Sequence, residues 1–122
     1  MIVVDQPKYK MLIFEQKKEF HVQIHGFVNE AIAAQYLKDL SETTAKISKA
    51  AFKLVVDATY QIPLPAKLAT DLGDIMMSYG SLGFKEIFIV NPKSKIGEVQ
   101  IRNALETKNF SGTIVKHVSE IH

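Results

Sequence analysis

The chain contains no cysteine. That absence removes disulfide frameworks, thiolate nucleophiles and Cys-type zinc sites in one step. Tryptophan is also missing, and Arg102 is the sole arginine among 15 cationic residues. Base-edge reading and bidentate phosphate recognition favour arginine over lysine, so no nucleic-acid partner is expected. No apolar stretch approaches the ~20 residues of a membrane-spanning helix. The opening Met1-Ile2-Val3-Val4-Asp5 has neither the basic region nor the apolar core of a signal peptide. A soluble, cytoplasmic protein without a transmembrane segment is the expectation. Neither G-x-x-x-x-G-K-[ST] nor G-x-G-x-x-G occurs, and there is no G-x-S-x-G nucleophile elbow. No catalytic residue, metal or cofactor is therefore expected.

What is present is ordinary globular material. The chain has 122 residues, 47% hydrophobic and 23% charged, with a formal net charge of +2. One domain spanning 1–122 is the natural expectation, long enough to bury a core without covalent or metal staples.

The hydrophobic periodicity changes along the chain. Residues 11–15 (MLIFE) and 20–25 (FHVQIH) are short apolar segments separated by Gln16-Lys17-Lys18-Glu19. In the second, Phe20, Val22 and Ile24 alternate with His21, Gln23 and His25, the period-2 pattern of a half-buried strand. The short polar linker makes the pair an antiparallel hairpin. From Asn29 to about Lys49, Ile32, Tyr36, Leu40, Thr43 and Ile47 recur at helical spacing, with Asn29 as N-cap. Phe52–Asp57 reads as the next strand. A second helix carries Leu68, Ala69, Leu72, Ile75, Met76 and Tyr79 as its apolar stripe, started by Pro65 and ended near Gly80 and Gly83. Glu86–Val90 is a strand with little alternation, expected to be central with both faces covered to some degree. A helix from about Lys95 to Lys108 with Ser94 as its cap and a strand over Thr113–Val118 complete the chain. The order is ββαβαβαβ. It predicts an α/β fold with a mixed, mostly parallel five-stranded sheet and helices mainly on one face.

Leu54-Val55-Val56-Asp57, running into a helix, and Gly83-Phe84-Lys85-Glu86-Ile87-Phe88-Ile89-Val90, running into a strand, resemble the corresponding segments of the STAS family. These are the sulphate-transporter and anti-sigma-factor-antagonist domains, including the bacterial SpoIIAA-like proteins. The resemblance spans the chain from about Met11 onward. It implies a regulatory domain that acts through protein–protein contact, either with a protein partner or by self-association as a homodimer. Regulatory members carry an Asp-Ser motif at the start of the second helix, where the serine is phosphorylated. Counted from Asp57, those positions fall near Pro65 and Ala66, and Ala66 has no hydroxyl. The phosphoswitch is not carried over. A second branch of the same fold, the SpoIIAA-like and SEC14-associated group, also lacks that serine and is linked to apolar ligands or membranes. An apolar or lipid ligand held between sheet and helices is the alternative it implies.

The candidate recognition surface is the loop from Tyr60 to Ala66, in "DATYQIPLPAKLATDLGDI". Loops on a rigid scaffold are where binding is concentrated. The candidate residues are Asp57, Tyr60, Ile62, Leu64, Ala66 and Met77. Leu64, between two prolines, is pre-ordered for contact, and Met77 sits at the edge of the helical stripe. Asp57 at a strand end is read first as a backbone-binding turn residue. Four residues of strand separate His21 and His25 by ~13 Å, too far for one ion. His117, expected on the last strand, is placed to approach the same open face. Asp71 and Asp74 read as a solvated helix surface.

Overall fold

A computed structural model of the chain describes residues 1–26, 29–106 and 110–121. The elements run β1 (Ile2–Asp5), β2 (Tyr9–Phe14), β3 (Glu19–Ile24), α1 (Glu30–Thr44), β4 (Lys53–Asp57), α2 (Ala66–Gly80), β5 (Glu86–Val90), α3 (Lys95–Leu105) and β6 (Thr113–Val115). Short 3-10 turns occupy Lys49–Ala51 and Val118–Glu120. The sheet has six strands in the order β1-β2-β3-β4-β5-β6.

The architecture is α/β with a mostly parallel sheet, and the strand count corrects the expectation of five. The extra strand is β1. Its residues are nearly all exposed, and its register shifts between Ile2 and Val4. An edge strand with a bulge, of which only Val4 packs partly against the core, carries too little alternation for a sequence reading to detect. β1 pairs antiparallel with β2, and β2 with β3, while β3, β4, β5 and β6 pair in parallel. The parallel strands succeed one another in a single direction across the sheet. Right-handed crossovers then put α1, α2 and α3 on one face.

Alternation along the strands selects the core. Phe20, Val22 and Ile24 of β3, Leu54 and Val56 of β4, and Ile87 and Ile89 of β5 join Tyr36, Leu40, Leu72, Met76 and Ile101 of the helices in one buried cluster. On the opposite face His21, Lys53 and Phe88 remain half-exposed. Val55 is fully buried even there, flanked in register by His21 and Phe88. β5 lies next to the edge strand β6, not at the centre of the sheet. Ile87 and Ile89 close its inner face, and its outer face runs from exposed Glu86 through half-buried Phe88 to buried Val90, so both faces are covered to some degree.

Helix ends follow local chemistry. Asn29 caps α1, its Oδ1 accepting from the Ile32 N–H at 3.0 Å. α1 stops at Thr44, short of the Lys49 expected from the pattern, and buries Thr44 in place of Thr43. The Thr44 hydroxyl donates to the Leu40 carbonyl at 2.7 Å, so its burial leaves no unpaired donor. Pro65, expected as the first helical residue, stands at the N-cap of α2, which starts one position later at Ala66. Ser94 caps α3 by accepting from the Gly97 N–H. α3 ends at Leu105; the expected extension to Lys108 runs into 107–109, outside the described residues. β6 ends at Val115, not Val118.

Candidate functional site

The four parallel strands deliver their carboxyl ends to one rim, the place where open α/β sheets form crevices. Backbone hydrogen bonds stitch the loops of this rim together. The Ile62 N–H donates to the His25 carbonyl at 2.9 Å, tying the β4–α2 loop to the end of β3. The Lys93 N–H donates to the Thr59 carbonyl at 3.0 Å, tying it to the end of β5. The Asn91 N–H donates to the Val115 carbonyl at 2.9 Å, bringing in β6.

Asp57 closes the first turn beyond β4. Its Oδ1 accepts from the Thr59 N–H at 3.0 Å and from the Thr59 hydroxyl. This is the backbone-binding role that the sequence assigns to it first. Ile62 lies across Gly26, whose φ is 149°. A Cβ there would stand 2.5 Å from Ile62 Cγ1, so both the backbone and the packing require glycine.

Leu64 is only 5% exposed and belongs to the core cluster. As a surface recognition residue it is corrected: the two flanking prolines are exposed, and the leucine between them turns inward. A side chain on α3 holds it there. Gln100 Oε1 accepts from the Leu64 N–H at 2.9 Å, and Gln100 Nε2 donates to the Leu64 carbonyl at 3.2 Å. The amide thus imitates one rung of a β-ladder for a loop that has no strand partner at that point. Gln100→Ala removes both bonds. It is expected to lower stability by about 1–2 kcal/mol and to speed hydrogen exchange at the Leu64 amide, with little change elsewhere.

The exposed apolar groups of the loop are Tyr60, 65% exposed, and Ile62, 50% exposed. Tyr60 is braced from two sides. Its ring stacks on His25 with centroids 6.5 Å apart, and Lys93 Nζ lies 4.9 Å from its centroid. The cation and the imidazole fix a ring that would otherwise swing freely in solvent. Ala66 is exposed at the start of α2. Met77 is half-buried and eleven residues further along the helix, about 16 Å away at 1.5 Å per residue. The loop therefore gathers Asp57, Tyr60, Ile62, Leu64 and Ala66, and leaves Met77 apart.

Beside Tyr60 a crevice of about 210 Å³ opens between the rim loops, lined by Thr59, Asn91, Pro92, Lys93, Glu98, Lys116 and His117. Its parts are scattered over 59 positions of sequence, and no local motif joins them. His117 lies beyond β6 and lines this crevice, not the open sheet face. His21 instead bonds Glu19 at 2.8 Å and meets the edge of Phe14. Among the described residues no group of three or more His, Asp and Glu side chains is placed to hold a metal ion. Among them, too, no helix is long and apolar enough to cross a membrane.

Between the sheet and α2 and α3 there is a cavity of about 20 Å³, lined by apolar side chains and by Gln61. Gln61 is 5% exposed, and its Nε2 has no hydrogen-bond partner. That volume is enough for one water and far below the several hundred Å³ of a small-molecule pocket.

No family model matches the chain, and no curated protein matches it in sequence.

Proposed function

We propose that the chain is a STAS-like, SpoIIAA-like domain, non-enzymatic, that regulates by protein–protein contact, self-association included, through the loop from Tyr60 to Ala66. The observation that carries this reading is the pair Tyr60 and Ile62. Two large apolar side chains stand out from a loop that hydrogen bonds hold at both ends. Exposed apolar groups on a pre-ordered loop lose little entropy on binding, which favours contact with another protein surface. The one-directional succession of β3 to β6 with helices on one face supports the STAS-like reading, because it is the topology that resemblance implies. Ala66, at the first position of α2, offers no phosphoacceptor, so the contact is regulated by something other than phosphorylation there.

The ligand-carrier alternative finds less support. Among the described residues, the cavity between the sheet and α2 and α3 is only about 20 Å³. An apolar guest would have to displace core side chains that are already close-packed.

Ile62→Asp and Tyr60→Asp test the reading. Each places a charge at a solvent-facing position and is expected to shift the melting temperature little. Each is expected to dissociate the dimer or co-purifying protein that native mass spectrometry detects for the wild type. A wild-type spectrum with a monomer retaining a small apolar molecule would replace this reading by the carrier. Association unchanged in both variants would remove the loop from it.

A further inference from the structure

We infer that the crevice lined by Thr59, Asn91, Lys93, Glu98, Lys116 and His117 is a binding site for a small phosphomonoester that carries hydroxyl groups. The inference stands independently of the protein-contact reading, which rests on the neighbouring Tyr60 and Ile62.

Charge comes first. Lys93 and Lys116 both line the crevice, and neither has a carboxylate within 4.0 Å among the described residues. Among the described residues four other lysines, Lys10, Lys18, Lys53 and Lys67, do have such partners. Lys93 is held over the Tyr60 ring, which fixes its position without neutralising it. His117 adds an imidazole that bears a donor in either tautomer. Two unneutralised ammonium groups and an imidazole in one concavity suit a dianion better than a single carboxylate.

The acceptors narrow the ligand further. The Thr59 hydroxyl spends its proton on Asp57 Oδ1, so toward the crevice its oxygen offers lone pairs. Glu98 also lines the wall and has no cationic partner within 4.0 Å among the described residues. A bare phosphate would meet repulsion from this carboxylate. A phosphate joined to a hydroxylated carbon chain would present O–H donors to it. At about 210 Å³ the crevice lies below the range of drug-sized pockets, so the carrier is a few carbons long.

The site is built before any ligand arrives. The Lys93 and Asn91 N–H groups lock the β4, β5 and β6 loops to one another. Beyond β6, Glu120 fixes the segment that carries Lys116 and His117: its carboxylate accepts from the Lys116 N–H at 2.9 Å, and its N–H donates to the His117 carbonyl at 3.0 Å. The cations are therefore presented by short, tied loops, and ligand binding need not order them.

Calorimetric titration of the whole chain with glycerol 3-phosphate, inorganic phosphate and glycerol tests the proposal. Glycerol 3-phosphate is expected to bind most tightly, phosphate more weakly, and glycerol not at all. Lys93→Met with Lys116→Met should weaken glycerol 3-phosphate roughly tenfold or more. Both lysines are exposed, so the melt of this variant should stay near that of the wild type. Glu98→Gln should tighten inorganic phosphate several-fold and shrink the preference for glycerol 3-phosphate. Amide shifts on titration should centre on Thr59, Asn91, Lys93 and His117. No binding of either phosphate compound at millimolar concentration would overturn the proposal. So would binding that the double lysine variant leaves unchanged, or inorganic phosphate binding that Glu98→Gln weakens.

Discussion

Leu64→Asp is expected to unfold the domain. The side chain is 5% exposed and sits in the core cluster, on a loop clamped by Gln100. Removing a buried leucine alone costs about 2–5 kcal/mol. The new carboxylate adds a buried charge with no cation on the loop to pair with it, worth several kcal/mol more. Domains of this size hold only about 5–15 kcal/mol in total. Thermal melting should show either a collapsed transition or none. Leu64→Ala, which lacks the charge, should retain a cooperative melt at a lower temperature. A Leu64→Asp protein with a wild-type melt would mean that the leucine is at the surface, and that the proposed recognition surface extends across both prolines.

The same loop thus combines two opposite demands within three residues. Ile62 faces solvent and Leu64 faces the core, as alternation along an extended segment requires. The Gln100 amide completes the comparison with a strand, since it pairs both backbone groups of Leu64. Substitutions at 62 and 64 should therefore separate cleanly, one acting on association and the other on folding.

Periodicity made much of this scaffold legible. Phe20, Val22 and Ile24 alternate because one face of β3 is wet, and that alone is enough to assign a strand and its core face. Leu68, Leu72, Ile75, Met76 and Tyr79 recur at helical spacing for the corresponding reason, and all five are buried. β1 was not legible, because an exposed and bulged edge has too little dry face to impose a pattern. Leu64 was half legible. Its apolar character between two prolines marks it for contact, but only the Gln100 clamp, 36 positions away, makes that contact the core. The crevice was legible only at one corner, where Lys93 precedes a helix N-terminus, a place that suits anions. Lys116 and His117 look like ordinary surface residues until the parallel strands bring their ends to one rim. The three core tyrosines carry no sequence signal beyond their apolar character, because a hydroxyl's partner is a tertiary fact.

Those tyrosines make the domain sensitive to alkali. The Tyr36 and Tyr79 hydroxyls bond one another at 2.7 Å inside the core. Burial pushes Tyr79 up to about 12, and burial with the neighbouring phenols holds Tyr36 well above the ordinary tyrosine range. Tyr9 meets Tyr36 edge-on at 5.2 Å and donates to Asp39 at 2.6 Å; burial and then that carboxylate raise it as well. In the unfolded chain all three phenols ionise near pH ~10. Above that pH the unfolded state binds fewer protons than the folded one, so stability falls as pH rises. Below it there is no difference and the full stability is present. Tyr36 and Tyr79 together give a slope of about 3 kcal/mol per pH unit above pH ~10, with the Tyr79 share levelling off as pH passes its folded value. By pH ~11.5 the loss is of order 4 kcal/mol, a large part of a typical domain's total. Melts taken at rising pH should hold steady to about pH 10 and then drop steeply, with tyrosinate from Tyr36 and Tyr79 appearing together with unfolding. Tyr79→Phe should flatten the drop by about one proton while lowering neutral-pH stability through the lost hydroxyl pair. Tyrosinate from Tyr36 or Tyr79 forming while the fold remains intact near pH ~10.5 would show that the pair is open to solvent, contrary to its packing here.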